Sequence, residues 1–494
     1  MTLSLAGGPG PRTVSLAGRH DLPSQQKRVT AVRCEPLPAL AGVAPMDVAE
    51  AFRDLPGLAL LESARPGRNA RWTFLTADPL ALVDAPGEGA DPFAEARALL
   101  ARMDAERATE GAPPLLGGLV GYVGYEVGLR LLGLTSPAPD SATLRPPTAA
   151  AIPLLRLGLH DWVVAWDRRD GMGWLAGRAV DGDTERLRHR LRAVRDRLDE
   201  FLHGCLPTLP AADVPSLHFA SSTSRDRWVR DVEQVRDAIA SGEIYQANLT
   251  RRLETRFEGD PWSLYRRVRT GDPALFAAYL DLGQRRAIVS ASPEAFVAVD
   301  RDGTVSTDPI KGTRPRGRTR EEDRRLAREL LGSAKDRAEN VMIVDVLRND
   351  LGRISVPGTV RVPRLTRLER TAAVQHLVST VSGRLRPGLD PLHVLAATLP
   401  GGSITGAPKR RAAELLATWE PTRRGPYTGA LGWIGPDGAM ATSILIRTFI
   451  ADGATLALHV GGGITWRSDP AEEWAETGVK AAGPLGAIGA REVA

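Results

Sequence analysis

Lysine is scarce in this 494-residue chain: of 64 basic residues only Lys27, Lys311, Lys335, Lys409 and Lys480 are lysines. An arginine stays charged at any ordinary pH, whereas a desolvated lysine amine can lose its proton and act as a nucleophile. Sites where lysine persists are therefore candidates for chemistry, although a solvated surface charge is the default reading of any one of them. Cysteine is scarcer still. Cys34 and Cys205 lie far apart without CxxC or Cys/His spacing, which suggests neither a disulfide framework nor a zinc site and fits a reducing compartment. There is no apolar run long enough for a membrane span or a signal segment, and residues 1–30 read as a frayed tail, so the expectation is a cytoplasmic protein with no membrane partner. Aromatics make up 5% of the chain, and no aromatic platform flanks a basic stripe. The formal charge of +5 is dispersed, since stretches such as "RTREEDRRLAREL" alternate in sign like an exposed helix. No nucleic-acid partner is expected, and an arginine-rich nucleic-acid-binding protein is only a distant alternative.

What is present suffices for a large core, with 43% hydrophobic residues. Proline-rich stretches at 135–153 and 205–219 read as loops, and the second divides the chain best. The expected organisation is a flexible tail (1–30), an N-terminal region (31–205), a linker (206–219) and a catalytic region (220–485). Helices and strands mix without regular βαβ alternation, so the expected fold class is α+β with large, mostly antiparallel sheets.

Several segments carry chemistry. "SDPAEEWAETGVKAA" opens a helix with Asp469 as N-cap, Pro470 at the first position and Glu472 three residues after the cap. That register puts Glu473, Glu476 and Lys480 on one face, as a cation and anion site or as an exposed ion-pair ladder. Asp336 and Glu339 repeat the i, i+3 relation in "KDRAEN". Two such faces suit one magnesium ion, which takes oxygen ligands, keeps waters and commonly uses one or two protein carboxylates. Gly461, Gly462 and Gly463 are read as a glycine loop after a strand, offering backbone N–H groups to an anion. Arg447 interrupts the apolar "SILIRTFI", so a buried guanidinium is expected to meet a carboxylate of the protein or of a ligand. His376 sits among apolar residues as a core histidine or a site histidine. Glu294 lies in a Ser-Pro-Glu turn between two strands, where desolvation would raise its pKa and suit it to general-acid work; a solvated loop glutamate is the alternative.

The order of these segments, "IYQANLTRR", "SASPEAF", "PIKGTRPRG", "DRAENVMIVDVLRNDLGRI", "QHLVSTVSG", "PGGSITGAPKRRAAELL", "YTGALGWI", "ILIRT" and "GGGITWRSDPAEEWAET", resembles the chorismate-utilising enzymes, and within them the aminodeoxychorismate synthase component I branch. The resemblance is dense over residues 224–482. It implies an anthranilate synthase component I-like fold, two subdomains with helices outside large sheets around a chorismate cleft, and dependence on Mg2+. It implies Glu339 and Glu476 as metal ligands with Asp336 and Glu473 in support. Tyr427, Arg447, Lys480 and the Gly461, Gly462 and Gly463 amides match positions that hold chorismate carboxylates. His376 matches a histidine near the substrate ring, and Glu294 the acid that protonates the departing C4 hydroxyl.

Two slots separate the branches. Gln246 stands where isochorismate and salicylate synthases have a lysine that activates water, and "PIKGT" stands where anthranilate synthases typically read "PIAGT". In the aminodeoxychorismate branch that lysine, here Lys311, attacks C2 of chorismate. The function implied is conversion of chorismate and ammonia to 4-amino-4-deoxychorismate, for 4-aminobenzoate and folate or a secondary metabolite; anthranilate synthase component I is the alternative. Neither cysteine resembles a glutaminase nucleophile elbow, so ammonia is expected from a separate glutamine amidotransferase subunit, and a downstream aminodeoxychorismate lyase is expected to finish the route. Thr465, Trp466 and Arg467 depart from the family's usual Val-Ala-Asp, and Leu60 to Ser63 resembles the family's tryptophan pocket.

Overall fold

Alternating and continuous apolar strands build two large sheets whose inner faces meet, a direct consequence of strand side chains that alternate between faces. The computed structural model describes residues 31–65, 70–87, 89, 91–106, 111–135, 152–204, 217–370 and 374–493, and the part from Ala31 on forms one compact unit. A 13-stranded sheet starts at Val32–Leu37 and runs through N-terminal strands to Ala59–Glu62. It continues through Phe276–Gly283, Arg286–Ser292, Thr448–Asp452 and Thr455–Ile464 to Gln246–Arg256. A 10-stranded sheet holds Ile310–Pro315, Val374–Arg384, Ala295–Val299 and Met440–Ile444 beside N-terminal strands such as Gly118–Val123. Among the described residues only Arg491–Glu492 pairs in parallel, with His218–Phe219. The α+β class with mostly antiparallel sheet is therefore as expected.

Both sheets mix strands from before and after residue 205, so the two regions of sequence fold into shared sheets. Of the expected linker, 206–216 lie outside the described residues, as do the 1–30 tail and Cys205. His218 and Phe219 belong to strand His218–Ser221, and Phe219 is fully buried.

A layer of Phe74, Val120, Tyr122, Ile288, Leu431 and Trp433 from both sheets fills the space between them. Helices cover the outer faces. Thr184–His203, Pro261–Gly271 and Pro470–Ala487 pack on the first sheet through Leu187, Leu264 and Leu485, and Ala334–Gly352 packs on the second through Ile343, Val344 and Leu347. No helix among the described residues is long and apolar enough to cross a membrane.

Candidate functional site

Two of the passages of the chain from one sheet to the other lie side by side, and each carries a candidate residue. Arg286–Ser292 belongs to the first sheet and Ala295–Val299 to the second, with Glu294 at the junction. Met440–Ile444 and Thr448–Asp452 cross back, with Arg447 at the junction. The two crossings are laced together, since the Ala291 N–H donates to the Arg447 carbonyl (3.1 Å) and the Ile444 N–H to the Glu294 carbonyl (3.1 Å). Arg447 corrects the sequence reading. It is exposed rather than buried in a strand, and its φ of +50° marks the reversal between sheets. Its charge reaches His376, whose pKa is lowered to about 4 by burial first and then by the Arg447 and Arg65 cations. His376 lies opposite Thr313 in the ladder, its Nδ1 2.9 Å from the Thr313 hydroxyl.

Lys311 extends from the edge strand Ile310–Pro315, and its Nζ donates to the Ser403 carbonyl at 3.2 Å. Burial lowers its pKa, opposed by the Glu294 and Glu339 carboxylates and reinforced by the Lys480 cation. Reciprocally, burial raises the Glu294 carboxyl to about 7 against the pull of Lys311, an Ile310 N–H and Lys480. These are the protonation tendencies a neutral amine nucleophile and a neutral carboxylic acid require.

The glycine triplet is a second correction. Gly461, Gly462 and Gly463 lie inside strand Thr455–Ile464, opposite Thr250, Leu249 and Asn248, and not in a loop. Glycine is rare in strands because it packs nothing, and here neighbouring groups take the space. A Cβ at Gly463 would clash with the Gln246 side-chain nitrogen, at Gly461 it would lie 2.5 Å from the Leu249 carbonyl oxygen, and at Gly462 it would lie 3.0 Å from Glu473 Oε2. The Asn248 N–H donates to Thr405 and its carbonyl accepts from Arg424, while the Thr250 N–H donates to Glu420. Gly463 and Gly461 thus sit at non-hydrogen-bonded pairs, and their amides point to the opposite edge of the strand. On that side Lys480 Nζ donates to the Gly461 carbonyl at 2.8 Å. The Tyr427 ring stacks on His459 of the same strand, centroids 4.9 Å apart.

Helix Pro470–Ala487 starts as its sequence dictates, Asp469 accepting from the Ala471 and Glu472 N–H groups. Glu476 pairs with Lys480 at 2.7 Å, and Glu473 is buried, accepting from the Ser468 hydroxyl at 2.6 Å. Desolvation works upward on Glu476, yet Lys480, Lys335 and Lys311 together hold its pKa below the ordinary value. Glu339 shifts the other way, raised by burial and by Asp336 and Glu476, against the pull of Lys311 and Lys335. Asp336 is tied to Arg314 at 3.3 Å.

Among the described residues no group of three or more His, Cys, Asp or Glu side chains forms a ready metal cage. The oxygen-only pair Glu339 and Glu476, each within the other's electrostatic reach, instead fits a hard ion that completes its shell with waters and substrate oxygens.

Gln246 is 1% exposed, with Oε1 left without a hydrogen-bond partner. The candidates Glu294, Lys311, His376, Glu339, Glu473, Glu476, Lys480, Arg447 and Gln246 thus come from both sheets and two helices. Ser403 was not legible in the sequence, because it contributes a backbone carbonyl that any residue type provides.

The chain matches the model of the chorismate binding enzymes over residues 59–486. It belongs to that family. It is 37% identical to anthranilate synthase component 1 of Streptomyces coelicolor, over 88% of this chain and 84% of that protein. It is 39% identical to aminodeoxychorismate synthase component 1 of Salmonella typhimurium, over 74% of this chain and 75% of that protein. The solved anthranilate synthase component I of Streptococcus pneumoniae superposes with a TM-score of 0.73 at 29% identity, covering 85% of this chain and 93% of that one. Overall identity does not separate the two activities, so the branch must be argued from the site.

A separate cavity of about 450 Å³ lies between the sheets, lined by Leu61, Glu62, Ser63, Phe74, Trp433 and Met440. Leu61, Glu62 and Ser63 belong to the Leu60 to Ser63 stretch that resembles the family's tryptophan pocket. Trp466 of the divergent Thr465-Trp466-Arg467 segment is 57% exposed, beside the Arg236 guanidinium.

Proposed function

We propose that this chorismate-utilising enzyme is an aminodeoxychorismate synthase component I, forming 4-amino-4-deoxychorismate from chorismate and ammonia. The observation that carries the reading is Lys311. A chain whose basic residues are nearly all arginine has a lysine at the slot where the branches differ, partly desolvated, with a carboxyl of raised pKa in its electrostatic reach. Neutral Lys311 attacks C2 of chorismate, and both ring double bonds shift as the C4 hydroxyl leaves with a proton from Glu294. Ammonia then adds at C4 and gives up a proton, both double bonds return, and the Lys311–C2 bond breaks, so that the net change replaces hydroxyl by amine and releases water. Gln246 has no basic lone pair with which to activate water, which disfavours hydroxylation at C2.

Tyr427, Arg447, Lys480 and the outward amides of Gly461 and Gly463 are assigned to the substrate carboxylates, and His376 to the ring. Glu339 and Glu476 would hold Mg2+, backed by Glu473 and Asp336. A bound Mg2+ supplies positive charge to neutralise a substrate carboxylate and orient it. Ammonia is expected from a separate glutamine amidotransferase subunit through a route closed to water, and the product needs a lyase to become 4-aminobenzoate.

The similarity to anthranilate synthases supports a second reading, in which pyruvate is eliminated and anthranilate forms. Lys311→Arg tests the first. It keeps the charge but removes the nucleophile, so ammonium-dependent turnover should fall about a thousandfold, ~4 kcal/mol of barrier. Normal turnover in that variant would defeat the covalent route.

A further inference from the structure

Arg424 lies outside every role assigned so far, yet it is 2% exposed and all five of its N–H groups have acceptors. Nε and Nη2 form a fork on Glu420 (2.8 and 2.6 Å). Nη2 also donates to the Asn248 carbonyl (2.6 Å), and Nη1 to the Ile404 carbonyl (2.8 Å) and the Thr428 hydroxyl (3.4 Å). The guanidinium rests on the Tyr125 ring, 4.4 Å from its centroid. These contacts join three segments that reach the site. Asn248 follows Gln246 in its strand, Thr428 follows Tyr427, and Ile404 closes the 3-10 turn Gly402–Ile404. The residue before Ile404 in that turn is Ser403, whose carbonyl accepts the Lys311 amine at 3.2 Å.

We propose that Arg424 is a positioning residue for Lys311: by gripping the Ile404 and Asn248 carbonyls it holds the Ser403 carbonyl where it orients the Lys311 amine. Lysine cannot replace it, because three donors on one nitrogen do not reproduce a planar fork spanning a carboxylate and two carbonyls. Misplacement of a reacting group by about 1 Å costs on the order of a hundredfold in rate. The proposal rests on the reading of Lys311 as the nucleophile.

The test uses the full chain with chorismate, Mg2+ and ammonium, comparing wild type, Arg424→Lys and Glu420→Gln. Arg424→Lys should lower kcat on the order of a hundredfold and leave the chorismate KM nearly unchanged; Glu420→Gln, which weakens the grip without removing the guanidinium, should give a smaller loss of the same kind. In parallel, reductive methylation mapped peptide by peptide should show Lys311 modified faster relative to Lys480 in both variants, since the amine is no longer held on the Ser403 carbonyl. If Arg424→Lys does not fold, Glu420→Gln decides by the same two readouts. An unchanged Lys311 to Lys480 ratio, or a kcat loss matched by a rise in KM, overturns the proposal. The labelling ratio requires no turnover. A Lys311→Arg enzyme with normal turnover would therefore defeat the functional reading while the ratio still judges Arg424.

Discussion

The side-chain amide of Gln246 occupies the volume that a Cβ on Gly463 would fill, so these two residues of adjacent strands specify each other. Gly463 is a strand glycine without the left-handed φ that usually demands one, and its missing side chain is explained by this approach.

Gly463→Ala should therefore act on chemistry before stability. The methyl group must displace the Gln246 amide, and ammonium-dependent kcat should fall about tenfold or more, with a smaller change in melting temperature. Gly478→Ala, where a Cβ meets nothing within 4 Å, is the control and should be silent. Equal activity in both variants would remove Gln246 from the site.

The acid role proposed for Glu294 fixes the sign of a pH effect. Its carboxyl is raised to about 7, and an acid must be protonated to act, so kcat/KM at constant free ammonia should decline as pH rises through about 7. Glu294→Gln should lose most activity and show no such limb. A wild-type profile flat from pH 6 to 8 would exclude Glu294 as the acid.

Glu339→Gln and Glu476→Gln each remove one of the two carboxylates proposed to hold Mg2+. The magnesium concentration for half-maximal activity should rise about tenfold or more in each, and chelation of the wild type should abolish turnover reversibly. Unchanged magnesium dependence in both variants would rule the pair out.

Local signals carried over well where a capping or turn rule applied. Asp469 and Pro470 start their helix where the sequence puts them, and Ser292-Pro293-Glu294 divides two strands as read. Membership of those strands in different sheets was not legible, because a two-residue alternation is the same in either sheet. The glycine triplet was misread for a related reason: its contacts, Gln246 and Glu473, come from remote segments. Arg447 was placed in a strand since apolar residues flank it on both sides, although the chain changes sheet there. Candidates that carry side-chain chemistry stand out in a sequence, whereas the Ser403 carbonyl and the Arg424 grip depend on tertiary approach alone.

Glutamine use would distinguish a self-sufficient enzyme from one fed with ammonia by a partner. Cys34 is raised to about 11 by burial, with Glu35 adding to the shift, the opposite of an activated thiol, and the sequence around Cys205 does not resemble a nucleophile elbow. The purified chain should work with ammonium salts at raised pH and be inactive with glutamine until an amidotransferase subunit is added. Efficient glutamine use by the chain alone would contradict this division.

The identity of the product tests the central claim most directly. Purified enzyme, chorismate, Mg2+ and ammonium should give 4-amino-4-deoxychorismate by mass and chromatography, with the enolpyruvyl ether retained on the ring and no anthranilate fluorescence. Stoichiometric release of pyruvate with appearance of anthranilate would contradict the account and assign the chain to the anthranilate branch.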